Sequence, residues 1–164
     1  MRISGAMLGV RNLVTVCVDG YDGDLHGEAW HCYNTEPIRF DGADMLALSL
    51  DRLFDRLGMP QQESWFRSFS GGKRGSPAPE ACAPPDKKLD QTEILQKYGR
   101  RATFAIHVQY RKNSTWQGSL FWSEGEQWFI FRSVLELFKI MDHLVRQGEM
   151  PEQPARPARA RKLA

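Results

Sequence analysis

The sequence has few of the features that identify a function directly. It contains only three cysteines and no CxxC pair, which argues against a disulfide scaffold and favours a reducing compartment. No apolar run reaches the length that a transmembrane helix or a signal peptide requires. The formal net charge of +2 is too close to zero to indicate nucleic-acid binding. We therefore expect a soluble cytoplasmic protein that does not contact a membrane.

Common catalytic and cofactor motifs are also missing. The patterns GxSxG, GxGxxG and HExxH do not occur. The stretch "SGGKRGS" is similar to a phosphate-binding loop, but Arg74 follows the lysine where that loop requires Ser or Thr. We predict no cofactor and assign no catalytic residue.

The stretch "DGDLHGEAWH" (22–31) is the strongest candidate for chemistry, because it holds three acids and two histidines. A calcium loop would need a bidentate Glu where Tyr33 stands. In a strand, His26 and His31 point to opposite faces, which does not suit a zinc site. We predict no metal and interpret the stretch as a polar turn that enters a strand. A small enzyme built around His26, His31 and His107 stays open as the least favoured alternative.

What is present is enough apolar material for a core. Hydrophobic residues make up 41% of the 164 residues and aromatic residues 11%. Residues 24–57 align with 115–148, including Gly27 with Gly118, and both segments contain an amphipathic helical stripe that ends at a Gly- and Pro-containing stop. We interpret this as an internal duplication, and two unrelated helices with ordinary stops is the alternative. A glycine within a strand, as at Gly27 and Gly118, often marks a bulge or a close approach.

The apolar periodicity predicts strand, strand, strand, helix in each half. The predicted elements are strands at 13–18, 25–33, 38–40, 103–110, 115–122 and 127–131, a brief helical turn within 91–99, and helices at 43–57 and after Ser133. Asp41 or Gly42 would cap the first helix, and Ser133 with Glu136 forms a capping box for the second. The fold class is α+β, with two ββ(β)α repeats forming a mainly antiparallel sheet and two helices packed on one face. The other face would be open.

Composition divides the chain into four segments. Residues 1–60 and 101–150 are the two repeats, 61–100 is a linker rich in Gly, Ser and Pro, and 151–164 is a disordered basic tail. Three aromatic residues, Trp65, Phe66 and Phe69, are too apolar for a free linker. We expect them to pack on the body or to dock on another protein.

Aromatic and basic residues surround the second predicted hairpin. Alternation predicts that Tyr110 shares a face with Ile106 and Val108. Such residues suit a protein interface or stacking on nucleic-acid bases, and the third alternative is that the tryptophans belong to the core. The candidate binding residues are Tyr110, Arg111, Lys112, Trp116, Gln117, Trp128, Arg132, Trp65, Phe66 and Phe69. If Trp116 and Trp122 lie beneath the helices, the surface must be sought around His107, Gln109, Gln117 and Ser119.

The leading hypothesis is a small non-enzymatic binding or adaptor protein. It would act on a macromolecular partner, preferably a protein, through the open sheet face or the linker aromatics. The alternative is a single-stranded nucleic-acid binder that uses the aromatic and basic hairpin with the basic tail. The oligomeric state is open.

The stretch "NSTWQGSLFW…FRSVLELFKIMDHL" (113–144) resembles short bacterial proteins that share a TWQG…W…FRSxLEL pattern. The first half, "YNTEPIRF…LDRLF…GMPQ", is compatible with the same group. The resemblance implies a small bacterial protein and brings no activity with it.

Overall fold

Six strands form one antiparallel sheet in the computed structural model, which describes residues 7–62, 83 and 85–147. In chain order the elements are β1 (Leu13–Tyr21), β2 (Leu25–His31), β3 (Ile38–Asp41), α1 (Ala43–Leu57), α2 (Gln91–Leu95), β4 (Ala102–Tyr110), β5 (Gln117–Trp122), β6 (Gln127–Phe131) and α3 (Val134–Gln147). The predicted α+β class with an antiparallel sheet is therefore confirmed. Local signals explain where the helices begin and end. Helix α1 ends at Gly58, which adopts a left-handed φ of 62°; glycine tolerates this conformation because it has no β-carbon. At the start of α3, the Ser133 hydroxyl accepts a hydrogen bond from Glu136 N at 3.0 Å.

The strand order is β3-β2-β1-β4-β5-β6. Each half of the chain therefore forms a three-stranded meander, and the first strands of the two meanders pair at the centre of the sheet. The observed β2 ends at His31 and β5 begins at Gln117, so both are shorter than predicted.

One face of the sheet, which we call the helix face, lies under α1 and α3. Helix α1 contacts β3, where only Phe40 is buried, and α3 contacts β6, where only Phe131 is buried. Both helices therefore pack on the face of the sheet to which Phe40 and Phe131 point. The register places Val16 and Phe104 of the central strands on the same face, and neither is exposed to solvent. Trp122 also lies on this face and is buried. Its side chain is part of the core.

The opposite, outer face is not open across its whole width, in contrast to the sequence prediction. The chain from 88 to 101 crosses it: Leu89 N donates to Cys32 O at 3.0 Å, and Gly99 N donates to the Thr103 hydroxyl at 3.0 Å. Between these points, α2 contacts β1 and β2. Thr15 and Cys17, on the outer face of β1, are consequently almost completely buried. Exposed side chains on the outer face lie at its two sides: Arg39 and Asp41 on β3, and Tyr110, Trp128 and Ile130 at the end of β4 and on β6.

Gly27 and Gly118 each stand where a strand approaches its neighbour closely. A β-carbon on Gly27 would lie 2.0 Å from Cys17 O, and one on Gly118 would lie 2.1 Å from His107 O. The neighbouring strand has a register shift in both cases, after Val18 in β1 and after Val108 in β4. The predicted structural role of both glycines is confirmed.

The polar stretch at 22–31 contains the residue that caps α1. Asp24 Oδ1 accepts hydrogen bonds from Leu25 N at 2.7 Å and from Ala43 N, at the first position of α1, at 3.1 Å. Gly42 occupies the N-cap position, as expected for one of the two predicted caps, but it has no side chain to accept a bond. The carboxylate comes instead from a turn that lies earlier in the chain, and it also opposes the positive end of the helix dipole.

We predict that Asp24→Ala lowers the free energy of unfolding by about 1 kcal/mol, because α1 loses its side-chain cap. The measurement is urea unfolding followed by circular dichroism. Asp22→Ala removes a neighbouring exposed carboxylate and is the matched control, with no expected change beyond about 0.5 kcal/mol. Equal losses in the two variants would contradict the capping role.

Candidate binding surface

A bulge in β4 decides where the hairpin presents its aromatic side chain. The β4–β5 register shifts between Val108 and Tyr110, so Tyr110 pairs with Gln117. Uninterrupted pairing after Val108 would have placed Tyr110 opposite position 116. Gln117 alternates with Gly118, which lies on the helix face. Tyr110 therefore points to the outer face and is 54% exposed. The predicted shared face with Ile106 and Val108 is wrong, because alternation in the sequence does not reveal the extra residue of a bulge.

Tyr110 belongs to a group of side chains on the outer face that we call the outer patch. The outer patch consists of Tyr110, Lys112, Gln117, Trp128, Ile130 and Arg132. Strand β6 contributes its apolar part: Trp128 is 42% exposed and Ile130 is 80% exposed. The Trp128 ring rests 5.0 Å from that of Phe121, which is buried on the same face of β5. Phe121 thus anchors a tryptophan whose remaining surface is available to a partner.

The other end of the outer patch is cationic. Lys112 Nζ lies 5.0 Å from the centre of the Tyr110 ring, within cation–π range. The Arg132 side chain is 79% exposed, and its Nε is 3.8 Å from a Glu136 carboxylate oxygen. Gln117 joins these residues, because its Oε1 accepts from Lys112 N at 3.0 Å while its Nε2 donates to Lys112 O at 3.0 Å. A fixed backbone thus presents two cationic side chains beside an exposed aromatic ring.

Arg111 does not belong to the outer patch, although the sequence made it a candidate binding residue. Its side chain is only 4% exposed, and Nη1 lies 3.0 Å from Asp51 Oδ1 while Nη2 lies 2.8 Å from Asp55 Oδ1. Its Nε also donates to Pro60 O at 2.8 Å. The guanidinium therefore joins the hairpin to the last turns of α1 and to Pro60, through all three of its nitrogens.

Trp116 is likewise buried and does not belong to the outer patch. It is 4% exposed, its ring meets Phe54 of α1 edge-on at 5.4 Å, and its Nε1 donates to Asp51 Oδ1 at 3.1 Å. Asp51 thus accepts from both Arg111 and Trp116. Asp51 and Asp55 were not among the residues predicted from the sequence to matter, and the available signal was their i, i+4 spacing on one face of α1.

The linker candidates Trp65, Phe66 and Phe69, and the basic tail at 151–164, lie outside the described residues.

The three histidines do not meet. His31 lies on the helix face, whereas His26 and His107 lie on the outer face. His26 pairs with Gly20 and His107 with Leu13, at opposite ends of β1, so they are separated by about 23 Å along the strand direction and lie on opposite sides of β1. Within the described ranges, no three His, Cys, Asp or Glu residues are grouped as a metal would require.

Buried titratable groups are held in their neutral forms. Burial, with a smaller repulsion from Arg56, lowers the pKa of His31 to about 4, and burial also lowers the pKa of His107. Burial raises the pKa of the Cys17 thiol to about 12, with further contributions from nearby carboxylates such as Asp19. Cys17 is thus a neutral core residue and not a thiolate nucleophile.

Comparisons with protein-family models, curated proteins and solved structures find no match to this chain. Among the helices that the structure describes, none is long and apolar enough to cross a membrane. The function must therefore be argued from the surface itself.

We predict that Arg111→Met lowers the free energy of unfolding by about 2 kcal/mol, because Asp51 and Asp55 lose their charged donor and Pro60 O loses its partner. The expected loss of unfolding free energy is moderate because both carboxylates are half-exposed and can be solvated by water. Arg132→Met, at an exposed site, is the control and should change stability by less than about 0.5 kcal/mol. Urea unfolding measures both, and similar values would remove the structural role assigned to Arg111.

We predict that acid destabilises the protein through His31. The unfolded chain binds the proton near the ordinary pKa of about 6.5, whereas folded His31 does so only at about 4. The stability that neutral His31 contributes is therefore present above pH 6.5 and is lost as the pH falls from about 6.5 to about 4. Between pH 6.5 and 5 the loss is about 2 kcal/mol.

The measurement is urea unfolding at several pH values for the parent protein and for His31→Gln. Glutamine keeps an acceptor for the Tyr33 N–H, which donates to His31 Nδ1 at 3.2 Å, but it does not titrate. The variant should lose the part of the pH dependence that arises from His31 and keep the part that arises from His107. Superimposable slopes for the two proteins would exclude His31 as the source.

Proposed function

We propose that this protein works by binding a protein partner through the outer patch. The observation that carries the proposal is the concentration of exposed apolar and cationic side chains on one part of the sheet. Five of the candidate residues lie within the outer patch: Tyr110, Lys112, Gln117, Trp128 and Arg132. Isolated exposed apolar residues are ordinary, but aromatic residues and arginine grouped on a rigid surface are typical of interface hot spots.

The composition of the outer patch favours a particular kind of partner segment. Trp128 and Ile130 offer apolar surface that a partner's aliphatic or aromatic side chain would cover. Lys112 and Arg132 stand beside it and would attract carboxylates. We infer an acidic partner segment with at least one apolar anchor. The linker aromatics Trp65–Phe69 form a second candidate contact in this proposal.

Single-stranded nucleic acid is the second candidate, and one observation favours it. Lys112 lies over the Tyr110 ring, an arrangement in which a base could stack on the aromatic side while the amine holds a phosphate. Against it stands the engagement of Arg111 with Asp51 and Asp55, which removes one of the three cations of the predicted surface. On the sheet itself two cations remain, and these alone give a weak electrostatic contribution, so protein binding is the proposal that the described surface supports better.

The internal duplication also belongs to this proposal. Its support is that both meanders carry a bulge in the first strand opposite a crowded glycine in the second, at Gly27 and Gly118. If the halves arose by duplication, the outer patch evolved on the second copy alone. We further propose a cytoplasmic bacterial protein. The free, buried thiols of Cys17 and Cys32 suit a reducing compartment.

To test this proposal, the full chain serves as bait in a bacterial lysate, and the affinity between the chain and the purified captured protein is then measured. Tyr110→Ala and Trp128→Ala should each weaken binding at least about tenfold, because each removes an aromatic contact. Leu135→Ala is the matched control, since Leu135 is 65% exposed on α3, outside the outer patch, and should leave the affinity unchanged. Calorimetric titration gives the dissociation constants.

Nucleic acid is tested in parallel with fluorescent single-stranded oligonucleotides at low and moderate salt. Binding that decreases with salt and is lost in Tyr110→Ala would favour the second candidate. A captured protein that binds all variants equally, including Tyr110→Ala and Trp128→Ala, would overturn the outer patch as the binding surface.

A further inference from the structure

The two edge strands of the sheet differ in how they are protected. Strand β3 is one edge; it has four residues, and its exposed side chains are the charged Arg39 and Asp41. Short, charged edges discourage pairing with another strand. Strand β3 thus has the features of an edge strand that does not pair with another chain.

Strand β6, the other edge, is also short, but it has no charged side chain. Its five residues, QWFIF, include no charge, no proline and no glycine. It pairs with β5 along its whole length, and in the part of the chain that the structure describes no strand lies on its other side. Ile130, its fourth residue, is 80% exposed. An uncharged, β-prone strand that presents its backbone in this way is suited to pair with another strand.

We propose that a second copy of this chain covers this edge, with the two β6 strands pairing antiparallel and joining the sheets of two copies. A two-fold axis perpendicular to the sheet keeps the outer faces of both copies on one side. Pairing centred on Phe129 then uses all five residues of each strand. On the outer face it brings Trp128 against Ile130 of the second copy, and the same contact is repeated across the axis.

Charge complementarity selects this register. Glu126 precedes β6 and Arg132 follows it, and both are exposed. Glu126 closes the turn before β6 with a left-handed φ of 49°, so it is not itself a strand position. With Phe129 at the centre, the turn that carries each Glu126 lies beside the Arg132 end of the other copy's β6, so opposite charges flank the apolar contact at both ends. A shift of two residues in either direction would keep the faces matched, but it would place the turn that carries Glu126 beside Ile130, or Arg132 opposite Trp128. The Arg132–Glu136 contact within one copy is long and exposed, so it competes weakly.

This dimer shares Trp128, Ile130 and Arg132 with the outer patch, but it does not require the proposed function, and Tyr110 belongs to the outer patch alone. It would join two outer patches into one continuous surface, but it forms without any partner. A failure of the dimer would therefore leave the binding role of Tyr110 intact, and a failure of partner binding would leave the dimer intact.

The experiment is sedimentation velocity of the full chain over a range of concentrations. Parent protein should show a monomer–dimer equilibrium in the micromolar range. Glu126→Arg and Arg132→Glu should each weaken dimerisation at least about tenfold, because like charges then meet twice across the axis. The double variant, with both substitutions, should recover most of the parent affinity. Thermal unfolding of each variant excludes misfolding as the cause.

Cross-linking tests the register independently. In a Cys82→Ser background, Phe129→Cys places a thiol on the two-fold axis and should give a disulfide-linked dimer under mild oxidation. Arg39→Cys, on the β3 edge, is the matched control and should stay monomeric. A chain that is monomeric at all concentrations overturns the proposal, and the edge would then be open to a strand of another protein. The proposal is also overturned if the dimer is unaffected by the charge reversals and forms a disulfide through Arg39→Cys.

Discussion

The pairing of β1 with β4 is the interaction on which the rest of the structure depends. Leu13–Val18 and Ala102–His107 pair residue by residue at the centre of the sheet, and through them the two meanders become one body. Six successive residues of β1 are buried, which means that both faces of the strand are covered. The helix face is covered by α3, and the outer face by the chain from 88 to 101. Neither meander could bury these strands alone.

This central pairing also explains where a binding surface can form. The middle of the outer face is occupied by the chain's own segment, so exposed side chains are left toward the β6 edge. There the sheet is rigid, because Phe121 and the residues beneath it are packed. A surface on such a strand needs little ordering when it binds, which keeps the entropic cost of association low.

The sequence was sufficient where structure depends on neighbours along the chain. Apolar periodicity located all six strands, and Gly58 and Ser133 mark helix limits because their effects act within one turn. It was insufficient where a residue depends on distant parts of the chain. Arg111 reads as a surface cation, yet it is buried because Asp51 and Asp55, which are far away in sequence, supply its counter-charge.

The same distinction applies to the candidate site. Composition selected the aromatic and basic residues of the second hairpin, but it could not divide them between the two sides of the sheet. The bulge at Val108–Tyr110 turns Tyr110 outward, and Asp51 draws Trp116 inward against α1. Since Arg111 and Trp116 share Asp51, one acidic side chain holds the connection between β4 and β5, beside the exposed Tyr110. The core and the outer patch are therefore coupled, because the contacts that bury Arg111 and Trp116 lie beside the exposed residues of the hairpin.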